Sequence, residues 1–295
     1  MNIFYTKTSM WEYDFFKNDI FKQDLYNIKI NFILFDENTK IYNNNEYNII
    51  VTNSNISLSF LENMVKKLRP FIIFHLSDEC EKDLEYYNLY SRYNIKILFH
   101  QYNFKKLDYK INNFQIPLGY VSGFLLNKSY INCKQIDYNK KYDFSFIGTV
   151  KSDRNDMLNK FSNNFENNFI NVGTTNWSNP EKQSIKPHEM FNIYKDSLFV
   201  PIGRGNKSLD CFRLYEAIVT GAIPVICGPV EEINITFKFN NKNPYIITAD
   251  TWDKAVLLCK ELYSDKDKIY NIINSNNKWF QEKIITISEK INELL

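Results

Sequence analysis

Short apolar runs recur along the chain, separated by stretches in which apolar residues return every three or four positions. In the first half, NIFYT (2–6), IKINFILF (28–35), YNIIVT (47–52), PFIIFHL (70–76) and IKILFHQ (95–101) read as strands. Helical spacing fills Ser57–Leu68 and Glu79–Tyr90 between them. A segment with one proline and two glycines follows, NNFQIPLGYVSGF (112–124). The alternation then resumes. YDFSFIGT (142–149), NFINVGT (168–174), SLFVPIG (197–203), AIPVICG (222–228) and NPYIITA (243–249) read as strands. Asp153–Phe165, Pro187–Tyr194, Leu209–Thr220 and Trp252–Tyr263 read as helices, and the tail from Lys266 as a helix interrupted around Asn274–Asn277.

Strands alternating with helices imply βαβ units and parallel sheets. The length of 295 residues suits two such α/β halves joined by a Pro/Gly hinge near 117–140. The expected division is a first Rossmann-like domain over 1–137, a second over 138–270, and a helical tail over 271–295 that returns to the first domain. Two domains of this kind normally bind ligands in a cleft at the carboxyl ends of their strands.

Composition changes this picture little. Hydrophobic residues make up 44% and charged residues 24%, enough for a packed core. The net charge of +2 gives no reason to expect a nucleic-acid partner, and the basic stretch Lys105–Lys110 is short enough to be a solvated loop. Five cysteines, Cys80, Cys133, Cys211, Cys227 and Cys259, are scattered without CxxC or CxxH spacing, so reduced thiols are expected and no metal site. The opening residues MNIFYTKTSMWEYD hold no apolar signal region, and no run of about 18 apolar residues occurs. A cytoplasmic protein without a transmembrane segment is expected. Sequons at Asn127 and Asn234 are unsurprising in an Asn-rich chain.

The most informative stretch is GRGNKSLDCFRLYEAIVTGAIPVI (203–226). It follows a strand. Gly203, Gly205 and Asn206 suit a tight turn, Ser208 suits an N-cap with Asp210 in the first turn, and Gly221 suits the residue after the helix. A helix start at a strand's carboxyl end offers free N–H groups to an anion, and Arg204, Lys207 and Arg213 add charge. The spacing does not fit a Walker loop. It half-fits a dinucleotide loop, with Glu231 or Glu232 ending the next strand but no third glycine. A plain loop with solvated Arg and Lys also fits. Glu216 shares a helix face with Arg213, as an exposed ion pair or as a carboxylate placed for the two hydroxyls of a ribose.

The run FVPIGRGNKSLDCFRLYEAIVTGAIPVI, with Arg213-Leu-Tyr-Glu216-Ala and Gly221-Ala-Ile-Pro224-Val, resembles the signature of exostosin-type glycosyltransferases. FSFIGT before a helix and IPLGYVSGF at the hinge extend the resemblance, which covers 142–228 well and the rest thinly. It implies a GT-B fold, two Rossmann-like domains with the nucleotide sugar in the second. It also implies an inverting transfer to a hydroxyl of a glycan or glycoconjugate, usually without metal or other cofactor. Arg204, Gly205, Asn206, Ser208 and Arg213 would then hold the diphosphate of a UDP- or GDP-sugar and Glu216 the ribose. Gly148, Thr149 and Arg154 would lie near the donor phosphates, or Ser152 would cap a helix with Arg154 in solvent.

Inverting transfer needs a base for the acceptor's proton, and a partly buried carboxylate suits that task. PFIIFHLSDE (70–79) ends a strand and begins a helix, so Asp78 and Glu79 are the catalytic candidates, with His75, Arg92 and His100 on the acceptor side. Ser77 as an N-cap with two acidic residues behind it explains the same letters. The alternatives to a glycosyltransferase are an NAD(P)-dependent oxidoreductase using GRGNKS and a sugar- or nucleotide-binding module without turnover.

Overall fold

The computed structural model describes residues 1–36, 39, 47–102, 111–126, 129–131, 139–173, 185–238 and 246–295. The Lys105–Lys110 stretch, the Asn127 sequon, Cys133 and parts of the Pro/Gly-rich hinge lie outside these residues. The chain forms two compact units, Met1–Pro117 with Ile284–Leu295, and Leu118–Lys283. Each is built on a parallel sheet. No helix among the described residues is long and apolar enough to cross a membrane.

In the first unit the strands are β1 (Asn2–Tyr5), β2 (Asn31–Leu34), β3 (Asn48–Asn53), β4 (Ile72–Leu76), β5 (Ile97–His100) and β6 (Asn113–Gln115). Their order is β2-β1-β3-β4-β5-β6, all parallel. Strands 3 to 5 are almost wholly buried, which is why they read as continuous apolar runs. Helix α2 (Leu58–Leu68) starts at Ser57, whose side chain accepts from Phe60 N, and puts Leu61, Met64, Val65 and Leu68 in the core. Between β1 and β2 the chain makes several irregular helical turns, among them Lys7–Glu12 and the single turn α1 (Tyr13–Phe15). Phe16 and Phe21 from this excursion pack edge-on against Phe74. Thr6 N and Ser9 Oγ both donate to Val51 O, and Asn53 donates to Thr8 O, so the turn is fastened over the end of β3.

The second unit holds β7 (Tyr142–Gly148), β8 (Asn168–Val172), β9 (Ser197–Ile202), β10 (Ile223–Cys227) and β11 (Ile247–Ala249) in the order β11-β10-β9-β7-β8. Written from the other edge this is 2-1-3-4-5, the order of the first five strands of the first unit. Its helices are α4 (Arg154–Ser162), α5 (Pro187–Lys195), α6 (Phe212–Val219), α7 (Val230–Phe237), α8 (Trp252–Tyr263) and the part of α9 (Lys266–Asn292) up to Lys283, the rest of α9 belonging to the first unit. IPLGYVSGF is not solvent-facing here. Tyr120 and Phe124 are fully buried, and Phe124 packs on Phe191 and Tyr194 of α5.

Several elements differ from the sequence expectation. Helix α9 runs unbroken through Asn274–Asn277, because Asn276 and Asn277 face inward and Asn277 donates to Ile131 O. Helix α6 begins at Phe212, not Leu209, and the helix after β4, α3, spans only Leu84–Tyr90. Gly221 does end α6, with φ 70°. Glu231 and Glu232 do not end a strand; they open α7.

Candidate functional site

In the second unit β7 pairs with β8 on one side and β9 on the other. That is the point where an open parallel sheet reverses its winding, and ligands bind there at the strands' carboxyl ends. Gly148 ends β7 and Gly203 follows β9. Arg154, the first residue of α4, is buried between them. Its Nη1 donates to Thr149 O at 2.6 Å and its Nη2 to Gly203 O at 3.4 Å, with the guanidinium 5.9 Å from the Phe146 ring. A Cβ on Gly203 would stand 2.4 Å from Arg154 Cγ, so glycine is what lets the arginine pass. Arg154 thus ties two loops together and is not in solvent. Thr149 Oγ1 donates to Gly173 O. Asp153, not Ser152, stands at the N-cap. Its carboxylate accepts from Arg204 N at 2.9 Å and Trp252 Nε1 at 3.2 Å.

Arg213 comes to the same place from α6. Its guanidinium lies 5.2 Å from the centre of the Phe146 ring, a cation held on a π face. Nη1 donates a long bond, 3.4 Å, to Ile147 O. Nε and Nη2 are buried and meet no acceptor among the described residues. A Cβ on Gly148, whose φ is 150°, would come 2.9 Å from Nη1. Glycine at 148 therefore leaves room for the arginine, and the arginine keeps donors in hand. A buried cation without a carboxylate is costly on its own, and an anion is the group that would relieve it.

Glu216, one turn further, is not in an exposed ion pair. It is 2% exposed, and its Oε1 accepts from Val121 N at 3.4 Å. Its other oxygen takes no hydrogen bond among the described residues. Burial pushes its carboxyl up to about 7, against the Val121 bond and the nearby Arg213 charge, which pull it down. The Tyr194 hydroxyl, buried and without a hydrogen-bond partner among the described residues, feels both Glu216 and Arg213.

The GRGNKS loop is internally committed. Both Nη atoms of Arg204 pair with the Glu232 carboxylate, and Nη1 also donates to Lys207 O. Gly205 N donates to Ser208 O, Asp210 N to Ser208 Oγ, and Lys151 Nζ to Asn206 Oδ1. Ser208 shapes the loop and does not cap α6, whose N-cap is Cys211. The main-chain donors a dinucleotide loop would turn to a pyrophosphate are used at Arg204, Gly205 and Asp210. Of the anion candidates, the structure gathers Gly148, Thr149, Arg154 and Arg213, and engages Arg204, Gly205, Asn206 and Ser208 elsewhere. The pair Asp265 and Asp267, an Asp-x-Asp spacing passed over in the sequence, is exposed at the start of α9, where Asp265 accepts from Lys268 N.

In the first unit, His75 is a core residue. It bonds to Asp83 Oδ2 at 2.7 Å and Tyr90 Oη at 2.8 Å and is 1% exposed. His100 bonds to Tyr102 O and Asn113 Oδ1. Asp78 does not sit at a helix start. One oxygen accepts from Lys82 N, the other from the Tyr87 hydroxyl, and burial raises its pKa. Glu79 is half-buried on the same turn. Arg92 is exposed and precedes β5, so it belongs to the strands' amino ends.

The sequence reading missed Glu12. It ends the turn that follows β1 and is 1% exposed. Its Oε1 accepts from the Ser77 hydroxyl at 3.4 Å and Gln101 Nε2 at 3.5 Å, both just past the carboxyl ends of β4 and β5. Oε2 is buried and meets no donor among the described residues. Burial pushes this carboxyl up to about 7, outweighing the bonds from Gln101, its own main chain and Ser77. No sequence signal singles it out, since it lies in irregular turns.

Residues 126–252 match the family described as the RXYLT1 C-terminal domain. The solved structure of Anabaena Alr3699/HepE in complex with UDP and glucose is similar over 100% of this chain and 99% of that one, with 9% identity and a TM-score of 0.53. The structure of the same protein with UDP gives 10% identity and a TM-score of 0.51 over the same shares. No curated protein matches.

The two raised carboxyls fix a pH dependence. A carboxyl whose folded pKa is about 7, from an ordinary 4.5, favours the fold in its protonated form. That stability is fully present below about 4.5 and is lost as pH rises through about 7. Glu216→Gln is expected to lose less stability than the wild type between pH 5 and pH 8, by on the order of 1–3 kcal/mol. Urea midpoints at the two pH values check it; identical losses would count against a buried, uncompensated carboxyl.

Proposed function

We propose that the protein is a glycosyltransferase that moves a sugar from a nucleoside diphosphate sugar to a hydroxyl acceptor, by a single inverting displacement and without a metal ion. The observation that carries this reading is the Arg213 guanidinium. It is buried beside Gly148 at the sheet's switch point, with two nitrogens that meet no protein acceptor among the described residues. A diphosphate is an anion that a planar fork of donors can grip at two oxygens. The same contact grows stronger as the sugar–phosphate bond breaks and charge gathers on the leaving diphosphate, so it favours the transition state as well as binding. A fixed cation in that position supplies the charge stabilisation a metal otherwise gives.

Glu216, on the same face of α6, is the candidate for the ribose hydroxyls through the oxygen that Val121 does not hold. Gly148 leaves the approach open, and Thr149 and Arg154 set the shape of the neighbouring loop. The UDP bound to HepE, a protein of the same fold, supports a uridine nucleotide as the first donor to try. Arg204, tied to Glu232, has no part in this reading.

Calorimetry with UDP tests the donor site. Binding is expected with similar affinity in EDTA and in magnesium or manganese. Arg213→Lys keeps the charge but loses the fork, and should weaken UDP about 10- to 100-fold, the worth of one lost charge-assisted hydrogen bond of about 1.5–3 kcal/mol. Binding only with metal, or an unaltered Kd in Arg213→Lys, would contradict the reading.

The ribose contact has its own signature. Glu216→Gln should weaken UDP more than inorganic pyrophosphate, because pyrophosphate has no ribose. Equal losses for both would mean that Glu216 serves only the fold.

A further inference from the structure

Transfer to a hydroxyl releases the acceptor's proton, which needs a group to receive it. Asp78, one of the two carboxylates the sequence offers, has both oxygens engaged, by Lys82 N and by the Tyr87 hydroxyl. Glu12 differs. It lies at the first unit's own switch point, since β1 pairs with β2 on one side and β3 on the other. Its turn is fixed there by the bonds from Thr6 and Ser9 to Val51 O. One carboxylate oxygen is held at the carboxyl ends of β4 and β5, and the other is buried and unpartnered among the described residues.

Ser77 links this buried carboxylate to the surface. The residue is exposed, and its hydroxyl donates to Glu12 Oε1. Its backbone sits at φ 68°, a left-handed conformation that a serine adopts only at a cost. The bond from Ser77 N to Gln101 Oε1, 2.7 Å, holds it there, while the other end of the same Gln101 amide faces Glu12. Gln101 thus positions both the hydroxyl and the carboxylate.

We propose that Glu12, through the hydroxyl of Ser77, takes the proton of the acceptor hydroxyl in the transfer. This rests on the glycosyltransferase reading. The acceptor oxygen forms its bond to the anomeric carbon as the bond from that carbon to the diphosphate breaks, and the electron pair leaves with the diphosphate. The acceptor's proton passes to Ser77 Oγ, and the proton of Ser77 passes to Glu12 Oε1. The groups that act on Glu12 are Gln101 from the end of β5, Ser77 from the end of β4 and its own main chain, none of them charged. Its carboxyl therefore answers to burial, and a value of about 7 suits a base working near neutral pH.

The test is release of UDP from a panel of UDP-hexoses and UDP-pentoses, with water and simple glycosides as acceptors, on the full chain. Glu12→Gln keeps the shape of the side chain and removes its basicity. Ser77→Gly removes the hydroxyl and adopts the left-handed backbone freely. Both variants are expected to lose about 10²- to 10⁴-fold in turnover, the usual worth of general base catalysis. UDP affinity should stay at the wild-type value. Turnover by the wild type should fall as pH drops through about 7, and Glu12→Gln should lose that limb, which a purely structural role would not remove. Wild-type turnover together with near-normal rates in either variant overturns the proposal and leaves the glycosyltransferase reading intact. No UDP release from any donor by the wild type overturns that reading, and this inference with it. If Glu12→Gln does not fold, Ser77→Gly decides alone.

Discussion

The candidate donor site depends on one cation held in an apolar place. The Arg213 guanidinium rests on the Phe146 ring beneath the bare Cα of Gly148, with a long bond to Ile147 O and the Cys211 side chain beside it. Taking an arginine out of water without a carboxylate partner is unfavourable unless something else meets its donors. Burial works against the charge, and Cys211, Tyr194 and Glu216 offset that cost, so the guanidinium stays charged. Arg154 spends its own donors on Thr149 O and Gly203 O, and Glu216, the nearest carboxylate on the helix, turns to Val121 N. A buried cation with two nitrogens that meet no acceptor among the described residues is suited to an anionic ligand, and the diphosphate reading follows from those unmet donors.

The same winding occurs twice. Both sheets reverse direction beside the first strand of the unit, and both reversals gather polar side chains at the carboxyl ends. In the second unit it is Gly148, Arg154 and Arg213. In the first it is Glu12, Ser77 and Gln101. The two sets differ in charge as their proposed tasks require. A leaving diphosphate wants a fixed cation, and an attacking hydroxyl wants a group that can accept a proton. Burial serves both ends, since it strengthens the arginine's interactions and lifts the Glu12 carboxyl to about 7.

Regular elements were legible in the sequence because their patterns are local. The buried strands announce themselves as runs of Ile and Phe, α8 keeps the expected bounds of Trp252–Tyr263, and Gly221 marks the end of α6. The RXYLT1 match over 126–252 and the shared fold with HepE agree with the exostosin-type resemblance and the GT-B architecture. What failed was tertiary. Asn274–Asn277 looked like a break by helix propensity, but inward packing carries α9 through it. Arg204 looked like a phosphate ligand until Glu232, on a helix the sequence did not suggest, claimed it. Asp78 lies where a strand ends, yet a hydroxyl and a main-chain N–H satisfy it. Glu12 was invisible because its importance comes from Ser77 and Gln101, 65 and 89 residues away along the chain.

The most direct test of the central claim is a structure determined with UDP bound. The account predicts the diphosphate against the Arg213 guanidinium at the carboxyl ends of β7 and β9, with the Arg204–Glu232 pair intact. A nucleotide whose phosphates lie instead on the GRGNKS loop, with Arg204 released from Glu232 and Arg213 untouched, would contradict it.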